Sequence, residues 1–254
     1  MHRFFTAQTQ LDGQTTIVLA DKKEVHHLKN VLRLKPGDPL VLFNDQGEEV
    51  QGEIISLNSE KVIARVIRYV RKTSAKHSHV TLACALPKKA KFESIIEKTT
   101  ELGVDEIFPL LTARTEIHLN PEKAQQKTQR YRQVAINAAK QCQRNSVPQI
   151  HTPMTIKSCL NAVDPAEYLI LIPCLFGIRK PIRELMPAPG TKKDILIFIG
   201  PEGDFTPQET QTVQQAGGIP VSLGETVLKV DTAAISVVAF INFLNTIPDE
   251  QKKS

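Results

Sequence analysis

The sequence lacks several features that would place it in a class at once. Its 4 cysteines form no C-x-x-C pair, so neither a zinc site nor a disulfide framework is supported. His26 and His27 are adjacent, and neighbours on a helix point in different directions, so we expect no metal site there. No stretch is apolar enough to span a membrane, and we expect no secretory leader. These absences favour a protein of the reducing cytoplasm.

Two phosphate-binding fingerprints are also missing. Neither G-x-G-x-x-G nor G-x-x-x-x-G-K-[ST] occurs, so dinucleotide and P-loop sites lose their main support. The net charge of +5 and the pI near 9.0 fit an anionic partner, although many basic proteins bind no nucleic acid. A hydrophobic fraction of 41% is enough for the core of one large domain or two small ones.

The most informative stretch is residues 194–240. Residues 195–199 predict a strand buried on both faces, and a glycine-containing turn begins at Gly200. A capping box that begins at Thr206 predicts a helix. Gly224 opens a second tight loop after a further short strand. Ligands of open α/β sheets bind at loops of this kind, at the carboxyl ends of strands. Two ordinary β-turns remain the alternative.

The whole chain is predicted to contain two domains. Residues 1–72 read as a small β domain, with turn signals between short apolar runs. Residues 73–254 alternate strand and helix patterns from Val80 onward, which predicts a parallel sheet. A nearly all-apolar helix is predicted over 232–246. On physical grounds alone, the second domain is a doubly wound α/β sheet.

Two motifs resemble the SPOUT superfamily of RNA methyltransferases. GPEGDFTPQE and LGETVLKVDTA are similar to the signature of one family in it, bacterial ribosomal RNA small subunit methyltransferase E. MHRFF, HHLKNVLRLKPGD, EKTTELGVDEIFPL and QCQRNSVP extend the resemblance over most of the chain. The chain departs from the family pattern at Thr226 and Lys229, where arginine is usual, and at Asp231, where glutamate is usual.

The resemblance implies a fold and an activity. The expected fold is α/β, with a C-terminal SPOUT domain that has a parallel sheet and a deep trefoil knot within about 194–240, plus a small N-terminal PUA-like β barrel. The implied activity is S-adenosyl-methionine-dependent methylation of N3 of one uridine, U1498, in 16S ribosomal RNA of the 30S subunit. A homodimer is also implied. A non-catalytic RNA-binding protein on the same scaffold, or a nucleotide-utilising enzyme, remains an alternative.

The same resemblance assigns the methyl-donor pocket to loops at three strand ends. We expect their backbone N–H and C=O groups to hold S-adenosyl-methionine, which is why glycine and proline matter there. Glu202 is expected to accept hydrogen bonds within its turn. The expected donor-binding residues are Leu171, Pro173, Ile199, Gly200, Pro201, Glu202, Gly203, Leu223, Gly224, Val227, Leu228, Lys229 and Thr232.

Two long basic segments contain no acidic residue. All Lys, Arg, Asp and Glu positions in residues 65–91 and 123–145 are lysine or arginine, whereas protein surfaces usually mix positive and negative charge. Phosphate contacts would explain this bias, and a solvated linker and a solvated helix are the alternatives. The candidates for RNA binding are Arg3, Arg33, Arg65, Arg68, Lys88, Lys89, Arg130 and Lys140.

Arg144 is the main candidate for a catalytic role. Asn137, Gln141 and Arg144 fall at helical spacings of four and three, which would place them on one face. In the resembling family this region contributes polar residues near the target base. Arg144 is expected to orient a phosphate or the base, with Asn137 and Arg114 as further candidates. A solvated helix charge is the alternative.

Overall fold

The computed structural model divides into two compact units that are described separately below. The first consists of Met1–Ser74 and Ile136–Val147, and the second of Ala75–Ala135 and Pro148–Ser254. The two predicted domains, 1–72 and 73–254, are each continuous in sequence. The first unit instead combines an N-terminal segment with a second segment, Ile136–Val147. The structure describes residues 1–71, 78–87, 92–117, 119–175, 177–185 and 193–246.

The first unit is built on a five-stranded sheet. Its strands are ordered β1-β3-β4-β5-β2, with β1 parallel to β3 and the other pairs antiparallel. Apolar side chains on one face form the core, with Phe4, Ile17 and Leu40 fully buried. The sheet confirms the small β domain that the sequence predicts. The strands are β1 (His2–Phe5), β2 (Thr16–Leu19), β3 (Pro39–Phe43), β4 (Glu48–Leu57) and β5 (Val62–Arg71).

One helical segment crosses between β2 and β3. Helix α1 (Lys22–His26) is capped by Asp21, whose side chain accepts hydrogen bonds from two backbone N–H groups of the first turn. It continues as one π-helical turn, His27–Val31, closed by the N–H of Leu32. Arg33 then takes a left-handed conformation, with φ of 55°. The segment is therefore an α-helix in its first half and has the wider π-helical geometry in its second half.

The segment Ile136–Val147 completes the first unit through polar contacts. The ammonium of Lys140 donates to both carboxylate oxygens of Glu24, each at 2.8 Å, and both side chains are largely buried. Burial raises the pKa of Glu24, although the bond from Lys140 acts in the opposite direction. The side-chain amide of Asn145 donates to the carbonyl of Gly47 at 2.9 Å. These bonds fix the segment against α1 and the β3–β4 turn.

The second unit contains a seven-stranded sheet in which every pairing is parallel. The order is β10-β12-β9-β11-β6-β7-β8, so the predicted parallel sheet is confirmed. Strands β8 and β10 have two residues each, too few to leave a readable pattern. The strands are β6 (Val80–Ala85), β7 (Glu106–Leu110), β8 (Gln149–Ile150), β9 (Tyr168–Pro173), β10 (Lys180–Pro181), β11 (Asp194–Ile199) and β12 (Ile219–Ser222).

Two helices of this unit begin at capping side chains. Asn120 accepts a hydrogen bond from the N–H of Lys123 at the start of α3, and Thr206 and Glu209 form the predicted capping box of α5. No helix within the described residues is long and apolar enough to cross a membrane. The helices after α1 are α2 (Phe92–Glu101), α3 (Pro121–Gln141), α4 (Ile156–Asn161), α5 (Pro207–Gln215) and α6 (Val230–Thr246).

Strand β11 holds the central place in this sheet. It pairs with β6 on one side and β9 on the other, and residues 195–199 are buried, as predicted for a strand covered on both faces. Strand β12 pairs with the other side of β9. Because all strands run in the same direction, the loops after β9, β11 and β12 meet at one edge of the sheet. The trefoil knot stays a prediction.

Candidate functional site

A cavity of about 220 Å³ lies at the carboxyl ends of β9, β11 and β12. We call it the donor cavity. Its walls come from the three loops that follow these strands and from the first turn of α6. It is lined by Pro173, Cys174, Leu175, Arg179, Ile199, Gly200, Pro201, Glu202, Asp204, Leu223, Gly224, Thr226, Val227, Leu228, Lys229, Val230 and Ala233.

Most residues predicted for the donor line this cavity. Three do not. Leu171 lies within β9 and is fully buried in the core. Gly203 faces the side chain of Arg114, and Thr232 is exposed on α6. The geometry therefore gives these three no direct place in the lining. The predicted residues that do line the cavity are Pro173, Ile199, Gly200, Pro201, Glu202, Leu223, Gly224, Val227, Leu228 and Lys229.

Several lining residues were missed by the sequence analysis. Cys174 and Leu175 directly follow the predicted strand β9, so their position was a usable signal. Asp204 belongs to the GPEGD motif and could also have been included. Arg179 had no signal, because its place depends on a loop conformation in which its guanidinium donates to the carbonyl of Cys174 at 2.8 Å. The remaining missed residues are Thr226, Val230 and Ala233.

Asp204 ties two of the cavity loops together. One carboxylate oxygen accepts from the N–H of Leu175, after β9, at 3.0 Å. The other accepts from the N–H of Phe205 at 2.8 Å. The backbone of Asp204 has φ of 63°, a conformation that costs energy for a residue with a side chain. The two hydrogen bonds offset that cost and set the separation of the two loops.

Two glycines of the cavity cannot be replaced by larger residues, and the structural reason differs between them. A Cβ on Gly200 would lie 3.1 Å from both the carboxylate of Asp204 and the N–H nitrogen of Phe205, so the crowding comes from the protein itself. Gly224 has open space around a hypothetical Cβ, but its φ of 136° disfavours any other residue. The sequence analysis connected both glycines with a donor held by backbone groups, and neither observation requires a ligand.

Arg114 braces the turn that follows β11. Its guanidinium donates to the carbonyls of Gly203 and Asp204, the second at 3.3 Å. Next to it, the N–H of Ala113 donates to the carboxylate of Glu209 at 2.8 Å. Arg114, predicted as a catalytic candidate, therefore has a structural task beside the donor cavity, that of fixing the backbone of one wall.

Arg144 does not lie on the helix face that the sequence predicted. Helix α3 ends at Gln141, and Gln143 takes a left-handed conformation with φ of 61°. The chain therefore changes direction before Arg144, and the common face with Asn137 and Gln141 is not formed. Arg144 is half-buried in the first unit, and its Nε donates to the hydroxyl of Ser146 at 2.9 Å.

Two of the predicted RNA-binding residues are engaged within the first unit. Arg3 and Glu49 form an ion pair at 2.9 Å, with side chains only 10% and 8% exposed. Lys140 is paired with Glu24 in the same way. Burial and pairing leave little of either cation to meet a phosphate, so both have a structural explanation.

The other predicted RNA-binding residues are more accessible. The guanidinium of Arg130 pairs with Glu93 at 2.6 Å while its side chain stays 71% exposed. Arg65 pairs with Glu53 at 3.2 Å and is also mostly exposed. Lys88 and Lys89 lie outside the described residues. The remaining two, Arg33 and Arg68, are exposed on the first unit.

The thiols near the donor cavity are not nucleophiles. Burial, and then the carboxylate of Asp204, raise the pKa of Cys174 to about 11. Burial also raises the pKa of Cys84, well above its usual range. Both thiols are therefore protonated at neutral pH. Within the part of the chain that the structure describes, no group of three or more His, Cys, Asp or Glu could hold a metal ion.

Two domain families match the sequence of this chain. The RNA methyltransferase domain matches residues 74–242, and the RNA methyltransferase PUA domain matches residues 19–67. The first match contains the whole lining of the donor cavity. The second contains α1, the π-helical turn and most of the sheet of the first unit.

Named relatives of the chain cover almost all of its length. A ribosomal RNA small subunit methyltransferase E from Synechocystis is 32% identical over 245 residues, which is 96% of this chain and 78% of the relative. Its counterpart from Bacillus subtilis is 28% identical over 248 residues, 96% of each chain. The structure of the Neisseria gonorrhoeae protein of that name, bound to S-adenosyl methionine, superposes with a TM-score of 0.83 at 26% identity, covering 96% of this chain and 98% of the other.

Proposed function

The chain belongs to the ribosomal RNA small subunit methyltransferase E family, and we propose that it methylates N3 of one uridine, U1498, in 16S ribosomal RNA. It is an S-adenosyl-methionine-dependent RNA methyltransferase. The choice of RNA, base, atom and position is the proposal. The observation that carries it is the donor cavity, in which loops from three adjacent strands bring most of the predicted donor-binding residues together.

The lining of the donor cavity fits S-adenosyl-methionine. Apolar side chains such as Leu223, Val227 and Leu228 can cover an adenine ring. Glu202 and Asp204 supply negative charge for a positively charged donor, and Arg179 and Lys229 supply positive charge for its carboxylate. When bound, the donor supplies an electrophilic methyl group on a sulfonium.

The rigid loops of the cavity contribute alignment. Methyl transfer is a direct displacement, so holding donor and acceptor in line supplies much of the rate. Asp204 links the loops after β9 and β11, and Arg114 holds the carbonyls of the turn after β11. These contacts are formed within the protein, so the alignment is set before substrate arrives.

The acceptor side needs a proton to leave and a charge to be stabilised. Uracil N3 carries a proton, and its loss leaves negative charge on the base. We assign to Arg144 the task of holding a phosphate or a uracil carbonyl, since its guanidinium can donate two parallel hydrogen bonds. Asn137 is a second candidate for contact with the base. A uracil within paired RNA would have to leave the helix to react.

The setting of the reaction is part of the same proposal. We propose a homodimer that acts in the cytoplasm on 16S ribosomal RNA within the 30S subunit. The proposed dimer would cover exposed apolar side chains of the second unit, such as Ile178 and Phe243, which are 97% and 66% exposed.

One assay separates this function from the alternatives. Purified protein and S-adenosyl-methionine are incubated with 16S ribosomal RNA, naked or in 30S particles, and the modified nucleoside is identified by mass spectrometry. We expect 3-methyluridine at a single position. Methylation of another base or atom would overturn the proposed specificity. Tight RNA binding with no methylation and no donor binding by calorimetry would establish a non-catalytic RNA-binding protein.

A further inference from the structure

A second cavity lies on the first unit. Its volume is about 450 Å³, and its floor includes the buried side chain of Val25. The helical segment of α1 and the π-helical turn forms one wall, and the turn between β4 and β5 forms the other. We call it the basic hollow. Its polar lining residues are Lys22, His26, Lys29, Asn30, Ser59 and Glu60.

The helical segment separates its charges between two faces. Val25 and Leu28 are buried against the sheet, and Glu24 is buried with Lys140. Lys22, His26 and Lys29 are exposed and line the hollow. The inner face therefore holds the only carboxylate within the segment, and the outer face holds only neutral and basic groups.

The backbone around the hollow is unusual for a surface helix. The i→i+5 bond from the N–H of Leu32 to the carbonyl of His27, 2.9 Å long, creates a π-helical turn. Turns of this kind are rare and are often found at functional sites. Here the turn carries Lys29 and Asn30, and it brings them to the same cavity as Lys22 and His26 of the preceding α-helical turn.

We propose that the basic hollow binds a phosphate of the RNA backbone. Two ammonium groups, an imidazole and a side-chain amide can all donate hydrogen bonds to phosphate oxygens. The contact would fix the position of the RNA on the first unit without reading its sequence. The inference rests on the proposed function only in taking the substrate RNA as the ligand. It concerns residues that lie outside the donor cavity and outside the two acid-free segments.

The test is the salt dependence of RNA binding. The affinity for a small-subunit RNA fragment is measured across a range of salt concentrations for wild type, Lys22→Ala/Lys29→Ala and the matched exposed-lysine control Lys157→Ala. Each phosphate contact contributes about 0.7 to 0.9 to the slope of log affinity against log salt. Because the hollow is proposed to hold one phosphate, the double variant should lower the magnitude of the slope by about 0.7 to 0.9, and Lys157→Ala should leave it unchanged. Lys29→Arg, which keeps the charge, should retain the wild-type slope.

Glu60 allows a complementary test, because it is the one acidic residue in the lining. Removing its negative charge in Glu60→Gln should strengthen RNA binding several-fold, an effect that a damaged fold would not produce. The double variant should weaken binding to an unrelated RNA by the same factor, since phosphates are common to both. An unchanged slope in a folded double variant, or a loss confined to one RNA sequence, would overturn the proposal. Donor affinity and the identity of the methylated base test the proposed function separately.

Discussion

The donor cavity and the basic hollow are built in different ways. The donor cavity is made of three loops that meet at a sheet edge, and its shape depends on backbone conformation at Gly224 and on internal bonds of Asp204. The basic hollow is made by side chains of one short helical segment and one turn. The first site depends on backbone geometry and the second on charge, so substitutions should affect them in different ways.

This difference gives a simple expectation for variants. Changes in the donor cavity should alter the affinity for S-adenosyl-methionine and leave the salt dependence of RNA binding unchanged. Changes on the first unit should do the opposite. Three of the four predictions below test that separation, and the one on Lys140 tests the stability of the first unit; they are given in order of decreasing expected effect.

Arg144 tests whether a residue of the first unit acts in the RNA step alone. Arg144→Ala should lower methyl transfer by about 10²–10³-fold, the usual effect of removing a donor that stabilises developing charge. Donor affinity, measured by calorimetry, should stay at the wild-type value. Arg144→Lys should rescue poorly, because lysine cannot supply a planar pair of donors. Wild-type turnover in Arg144→Ala would show that Arg144 takes no part in the RNA step, and lost donor binding would break the separation of the two sites.

Lys140 tests the stability of the first unit. Lys140→Ala leaves Glu24 buried without its cation, which typically costs about 3–5 kcal/mol. The raised pKa of Glu24 eases its protonation, so we expect a loss of about 2–3 kcal/mol in urea unfolding. The exposed Lys35→Ala is the control and should change stability little. If Lys140→Ala weakened RNA binding without loss of stability, the original assignment of Lys140 to RNA would be correct.

Ala233 tests the shape of the donor cavity. It lines the cavity from α6, so Ala233→Leu places a larger side chain in the space that the donor would occupy. Donor affinity should fall at least tenfold, or about 1.4 kcal/mol. Ser236→Leu adds the same side chain at an exposed position of the same helix and should bind the donor normally. Equal affinities for the two variants would show that the donor binds elsewhere.

Asp204 tests the link between the cavity loops. Asp204→Gly removes two hydrogen bonds, each worth about 1 kcal/mol, and also relieves a left-handed conformation that costs about 2 kcal/mol, so the two effects on stability nearly cancel. The expected result is a loss of donor affinity of about fivefold, or 1 kcal/mol, with little change in thermal stability. Asp204→Asn keeps one acceptor oxygen, so its donor affinity should lie between those of the wild type and Asp204→Gly. Unchanged donor affinity in Asp204→Gly would show that the loops keep their separation without this link.

The sequence indicated most of the residues that line the donor cavity, because its signals are local. The buried strand β11, the turn after it and the capping box of α5 follow one another within a short stretch, and each has its own residue pattern. The place of Arg179 in the cavity could not be predicted from the sequence, because its contact with Cys174 depends on the conformation of a loop. Two-residue strands such as Gln149–Ile150 have no periodicity to detect.

The first unit was harder to predict because its key contacts are distant in sequence. Glu24 and Lys140 are 116 residues apart, so no local pattern could pair them, and Lys140 was assigned to RNA instead. The end of α3 at Gln141 was also missed, since the sequence beyond it contains no glycine or proline before Pro148. The left-handed Gln143 ends the helical path there without the usual residue type.

The discontinuity of the first unit has a consequence for the order of events during protein synthesis. All five strands of its sheet have been translated once Arg71 has been added, but Glu24 has no partner until Lys140 follows. With elongation at about 5–20 residues per second, the wait for those 116 residues lasts on the order of ten seconds. We therefore expect nascent chains arrested before residue 136 to be cleaved by protease within the N-terminal region, and chains arrested well after residue 147 to resist.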